Sequence, residues 1–147
     1  MTREIFIDTG AWIALADITD NLHPVAIEAY PLVLQQWDRL VTTNLVIAEA
    51  YNLIRRRLGY KAGMQFLETL RKSPRLIKVY SDEAIETEAE TLLHQYNDQT
   101  FSLVDAISFA LMTQRDIAEA FAFDRHFVTA GFTLVPPHLN SNRITKY

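Results

Sequence analysis

Four carboxylates stand far apart in the chain, each among apolar neighbours: Asp8 in IFIDTG, Glu49 in TTNLVIAEAYNLI, Asp105 in FSLVDAISFALM and Asp124 in AFAFDRHF. Taking an ionised group out of water costs several kcal/mol, and two like charges ~4 Å apart repel by ~4 kcal/mol at an effective dielectric of ~20. Four such groups turned toward one another need a cation. Carboxylate oxygens without softer ligands suit Mg²⁺ or Mn²⁺, and Mg²⁺ usually takes only one or two protein carboxylates and keeps waters for a substrate phosphate. One or two such ions activate a water and stabilise the leaving oxygen of an in-line displacement, which makes a phosphodiester the natural substrate.

The chain must supply elements that bring these acids together. Short apolar runs at residues 4–8, 40–42, 76–80, 120–123 and 132–135 read as strands. Between them lie helical patterns at 11–17, 23–39, 44–58, 61–72, 83–96 and 103–114. Pro24 suits a first helical turn, whereas Pro31 predicts that the second helix is kinked or split into two pieces. Thr43 or Asn44 caps the third helix, Gly59 stops it, and Ser102 caps the sixth. Gly10, in the Asp-Thr-Gly strand-to-helix turn, is expected to let the backbone come close to something. Single strands separated by one or two helices imply right-handed parallel β-α units, hence a three-layer α/β sandwich with a short-stranded, mainly parallel sheet and helices on both faces.

In such sheets ligands bind beyond the carboxyl ends of the strands, where the strand order reverses. Asp8 and Asp124 each follow a strand candidate directly. Glu49 falls in a helical stripe with Leu45 and Leu53, which predicts a head turned toward the core. Asp105 shares a face with Phe101, Phe109 and Met112 and lies in the first turn of its helix, where the positive dipole end tolerates it. Each acid also has a bland explanation. Asp8 and Asp124 fit as turn formers, and Ser102-x-x-Asp105 fits a capping arrangement. Glu49 is harder to dismiss, because an acid on an apolar stripe needs a partner. Shared chemistry explains all four together.

With 147 residues, 49% hydrophobic and 22% charged, one domain spanning 1–147 is expected. No apolar stretch is long enough to span a membrane, and the start MTREIFID lacks a leader pattern, so a soluble, unprocessed chain is expected. Absence of cysteine excludes disulfides, thiol nucleophiles and Cys-based zinc sites and is compatible with the cytoplasm. Net charge is −4; removing the four acids from the 18 acidic residues leaves 14, matching the 14 basic ones. A strongly basic nucleic-acid-binding face is therefore excluded, and attraction for phosphate must be local or come from bound metal.

Taken in order, FIDTGAWIAL, the Asp-x-x-His from Asp20 to His23, TTNLVIAEAYNLIRRR, FSLVDAISFALM and FAFDRHF resemble the PIN-domain nucleases, specifically the VapC-type toxins of bacterial toxin–antitoxin modules. The resemblance covers nearly the whole chain. It implies that Asp8, Glu49, Asp105 and Asp124 are the acidic metal-binding and catalytic residues, with Thr9 matching a Ser or Thr that commonly follows the first acid. It also implies metal-dependent endoribonuclease activity, a cognate antitoxin whose C-terminal segment lies in the toxin groove, and a homodimer. One departure is Ala122, where many members carry Thr or Ser two residues before the last acid.

Around this core, Ser102 supports Asp105 as its cap, and Arg125 and His126 follow Asp124 closely enough to contact an RNA phosphate, Arg125 foremost. The run Arg55-Arg56-Arg57 suits a helix C-terminus, with Arg56, two turns after Glu49, the exception to check. The four histidines do not fall at metal-ligand spacings, which disfavours a zinc hydrolase, and His23 before Pro24 reads as helix-entry chemistry. Tyr30, Trp37, Met64, Phe66, Leu67 and Leu70 serve the core or a partner surface. Asp-Thr-Gly also marks aspartic proteases, but these are all-β, and a dehalogenase-like phosphatase needs an acid where Gly10 stands. The serious alternative is a PIN-like module that binds RNA or a partner without cutting it.

Overall fold

The computed structural model describes residues 2–141. Its strands are β1 (Glu4–Ile7), β2 (Arg39–Thr43), β3 (Leu76–Val79), β4 (Glu119–Phe121) and β5 (Thr133–Val135). The helices are α1 (Thr9–Ala16), α2 (His23–Gln36), α3 (Asn44–Leu58), α4 (Tyr60–Lys72), α5 (Glu83–Gln95), α6 (Leu103–Gln114) and α7 (His126–Thr129), and a 3-10 turn follows at Pro137–Asn140. All strands are parallel, in the order β3-β2-β1-β4-β5. This is the three-layer α/β architecture expected, since right-handed crossovers put α1 to α4 on one face and α5 to α7 on the other. Ile5, Phe6 and Ile7 of β1 are fully buried, the continuous apolar run of a parallel strand covered on both faces.

β1 lies at the centre, paired with β2 through Phe6 and Val41 and with β4 through Phe6 and Ala120. The chain moves from β1 through β2 to β3 on one side, then crosses back to β4 on the other, so the strand order reverses between β1 and β4. Helices α1, α3 and α6 all start at the carboxyl edge of the sheet, which brings their N-terminal ends to one rim.

Two local expectations fail for identifiable reasons. Pro31 does not split α2, which runs unbroken from His23 to Gln36. Pro31 and Ile27, whose carbonyl loses its partner, are both exposed, so water can satisfy the freed group without breaking the helix. Gly10 makes no close approach to another part of the chain either. It lies inside α1, and an added Cβ would meet nothing within 4 Å.

Other signals read true. The Thr43 hydroxyl accepts from the Val46 N–H at 3.1 Å at the start of α3. Gly59 has φ 97° between α3 and α4, a backbone that side chains avoid. His23 opens α2 and donates its Nδ1–H to the Ala14 carbonyl at 2.6 Å. Of the arginine run, Arg57 bridges Asp17 at 3.6 Å and Asp20 at 3.0 Å, tying the α1–α2 loop to the end of α3. Arg55 lies over the Tyr60 ring. The tail from Pro136 to Tyr147, which reads from the sequence as irregular, forms a 3-10 turn at Pro137–Asn140, and residues 142–147 lie outside the described residues.

Candidate active site

Asp8 sits where the two central strands part. Its N–H donates to the Phe121 carbonyl at 3.1 Å, extending the β1–β4 pairing by one residue, and its own carbonyl accepts from Ala11 and Trp12 to begin α1. The Thr42 hydroxyl donates to the Ile7 carbonyl at 3.0 Å, fixing β2 at the same rim. The Asp8 side chain makes no capping bond and the residue is only 8% exposed. Burial pushes its carboxyl from 3.8 up to about 7, and the charges of Asp105, Asp124 and Glu49 push the same way, against the Thr9 backbone N–H. No basic side chain is among the groups acting on it. The other three predicted acids thus all act on the Asp8 carboxyl.

The other three differ in depth. The Asp105 side chain is 15% exposed and is held by a reciprocal cap: its N–H donates to Ser102 Oγ and its Oδ2 accepts from the Ser102 N–H, both at 3.0 Å. The capping and the site readings are therefore both satisfied, since the cap fixes the carboxylate in place. Asp124, with its side chain 41% exposed, accepts from the His126 N–H at 2.9 Å through Oδ1, as a turn-forming aspartate does. Glu49 departs from expectation, being exposed rather than turned to the core. The buried stripe of α3 is Val46, Ile47, Ala50 and Ile54, and Glu49 lies roughly 100° round the helix from it. It reaches the site from the solvent-facing flank.

His126 is placed more centrally than its neighbour. Its Nδ1 lies 3.3 Å from Asp105 Oδ2 and 3.4 Å from Asp124 Oδ1, and these three residues can bring one ligand atom each within 4.8 Å of one another. Sequence spacing missed this because the two acids come from different elements. The available signal was the turn after Asp124, which returns residue 126 toward the aspartate. Arg125 is turned elsewhere: its Nη1 donates to the carbonyls of Leu139 at 2.7 Å and Ser141 at 3.1 Å, clamping the 3-10 turn. Its expected RNA contact therefore gains no support. Arg56 is exposed on the same helical flank as Glu49. Ala122 is fully buried, and Asp124 is steadied instead by the His126 N–H.

The donor set fits a divalent cation. The Thr9 hydroxyl oxygen, beside Asp8, is buried without a hydrogen-bond partner, and buried polar atoms ordinarily have one. With a carboxyl pushed up to about 7 and three further acids acting on it, Asp8 lies among hard oxygen donors. The sequence profile of the PIN domain family matches residues 5–132. The chain belongs to the PIN domain family. Among its PIN-domain relatives, the 23S rRNA-specific endonuclease VapC20 of two Mycobacterium tuberculosis strains is 33% identical over 137 residues, covering 90% of this chain and 98% of the relative. The crystal structure of the M. tuberculosis VapC20, described as a sarcin-ricin loop cleaving toxin, superposes with a TM-score of 0.79 at 32% identity, over 88% of this chain and 96% of that one. FitAcB from Neisseria gonorrhoeae shares the fold, with a TM-score of 0.60 at 19% identity over 91% and 98% of the two chains.

Away from the acids lies an apolar groove. Its volume is 460 Å³, and it runs between α1, α2, α3 and α4 past Trp12, Tyr30, Ile54, Phe66 and Leu70. None of the four acids lines it. No helix among the described residues is long and apolar enough to cross a membrane.

Proposed function

We propose that this PIN-domain protein is a Mg²⁺- or Mn²⁺-dependent endoribonuclease, the toxin of a toxin–antitoxin pair, acting as a single domain in the cytoplasm. The observation that carries the reading is the buried Asp8 carboxyl, faced by Asp105, Asp124 and Glu49 with no basic group among them. Asp8, Glu49, Asp105 and Asp124 would hold one or two ions, which when bound supply charge stabilisation at the phosphate and activation of water. The chain itself does the positioning. Asp8 is fixed by β1–β4 pairing, Asp105 by the Ser102 cap and Asp124 by the His126 N–H. Thr9 adds an unpartnered hydroxyl. Asp124 and Glu49 stand at the open mouth, so a phosphodiester enters on their side.

The substrate we propose is a structured loop of ribosomal RNA, from the likeness to VapC20 along nearly the full chain. The apolar groove suits the C-terminal segment of a cognate antitoxin, and α4, with exposed Tyr60 and Met64, suits the homodimer contact. Nothing local favours a non-cleaving module, because all four acids are present and Asp124 keeps a donor despite Ala122. The test is incubation of purified protein with total ribosomal RNA and with an isolated sarcin-ricin loop oligonucleotide, in Mg²⁺, Mn²⁺ or EDTA. Discrete new 5′ ends with either metal, abolished by EDTA and by Asp8→Asn, are expected. Undiminished cleavage by Asp8→Asn would overturn the mechanism.

A further inference from the structure

We propose that His126 supplies a nitrogen ligand, through Nδ1, to a divalent cation shared with Asp105 and Asp124, so that this part of the site favours Mn²⁺ and later first-row ions over Mg²⁺. The inference rests on the metal-dependent reading above and refines which ions that site takes. Nδ1 is 3.3 Å from one carboxylate oxygen and 3.4 Å from the other. Ligand atoms bound side by side at metal distances of about 2.0–2.2 Å lie about 3–3.5 Å apart, so Nδ1 already stands at that spacing from each carboxylate, and the three residues bring one ligand atom each within 4.8 Å of one another.

The ring is also held as a ligating imidazole is held. A metal-bound histidine characteristically donates its other ring N–H to an outside acceptor, which fixes tautomer and orientation. Here Nε2 lies 3.3 Å from the Thr100 hydroxyl. Phe101 meets the ring edge-on with centroids 5.1 Å apart and is itself stacked edge-on against Phe109 in the core. From the backbone side, the His126 N–H is bonded to Asp124. Asp105 is likewise oriented from behind by Ser102. Carboxylate and water suit Mg²⁺ and Mn²⁺, whereas imidazole suits the transition ions, so one nitrogen in an otherwise oxygen set shifts preference without excluding Mg²⁺ from the remaining oxygens of Asp8 and Glu49.

The experiment uses the full chain stripped with EDTA, desalted and titrated with MnCl₂ or MgCl₂ by calorimetry, with pulsed electron paramagnetic resonance on the Mn²⁺ form. Wild-type protein should show ¹⁴N modulation from a directly bound imidazole, altered to the ¹⁵N pattern by histidine labelling. His126→Ala should lose that modulation and weaken Mn²⁺ binding about tenfold or more, while Mg²⁺ binding changes by no more than about twofold. Should the variant fail to fold, the wild-type spectrum alone decides. Mn²⁺ bound without nitrogen coupling, or equal losses of Mn²⁺ and Mg²⁺ affinity in His126→Ala, would overturn this assignment while leaving the nuclease reading intact. Failure of wild-type protein to bind either ion would overturn both.

Discussion

Asp8→Asn separates what Asp8 does for the fold from what it does for chemistry. The folded-state carboxyl is raised from 3.8 to about 7, chiefly by burial. Between those two values the folded protein binds a proton that the unfolded chain has released, so stability is greatest at acid pH, falls as pH rises from about 4 to about 7, and is flat beyond. At about 1.4 kcal/mol per tenfold change in proton affinity, ionised Asp8 costs the metal-free fold about 4 kcal/mol at pH 8. Asparagine keeps the shape and removes the charge. In EDTA at pH 8 the variant should therefore be more stable than wild type by a large part of that amount, and the difference should shrink toward zero or reverse at pH 4. The assay is urea unfolding followed by tryptophan fluorescence at both pH values, with a parallel series in MgCl₂, which should stabilise wild type and not the variant. A variant less stable than wild type at pH 8 in EDTA would refute the reasoning, because the ionised carboxyl would then be compensated by something other than a bound cation.

Other substitutions probe the scaffold. Gly63→Ala places a Cβ 2.9 Å from the Tyr51 ring; overpacking outweighs the gain in helix propensity, for a net loss of about 1 kcal/mol by urea unfolding. Gly10→Ala, which meets open space, should instead be neutral or stabilising by about 0.5 kcal/mol. Ser102→Ala removes the hydroxyl half of the cap and should cost about 1 kcal/mol; because the residue 102 N–H still holds Asp105 Oδ2, kcat on an RNA oligonucleotide should fall less than tenfold. Arg125→Ala should free the 3-10 turn to faster amide exchange while leaving the salt dependence of RNA binding unchanged, where loss of a phosphate contact would lower the slope by about 1.

The acids were legible in sequence because each broke an apolar pattern, and the sheet was legible because its strands are short, apolar and separated by helices. Convergence followed from topology: an acid after β1 and another after β4 must share a rim if the order reverses between them. Depth did not follow. Glu49 and Leu45 have the same helical phase as a core stripe, but α3 is rotated so that Val46, Ile47, Ala50 and Ile54 meet the sheet, a choice made by packing. Pro31 misled for a related reason, since its cost depends on whether the freed carbonyl faces water. Arg125 and His126 are adjacent in sequence and opposite in role. The helical turn at α7 sends one guanidinium back to the 3-10 turn and one imidazole toward Asp105 and Asp124, and no spacing rule distinguishes them.

The depth gradient has a thermodynamic consequence. Domains are stable by only about 5–15 kcal/mol, so about 4 kcal/mol lost to a single buried carboxylate is a large fraction of the whole. The loss is offset by a continuous core that includes Phe6, Phe109, Phe121 and Phe127, all almost fully buried. A cation that binds the folded protein and not the unfolded chain returns stability in proportion to its occupancy. On the metal-dependent function proposed above, folding and loading of this site are linked, most strongly above pH 7, where Asp8 must be ionised in both states. Stability measured without controlling divalent metal mixes the two, and a substitution at Asp8 can stabilise the metal-free chain while disabling the site it was built around.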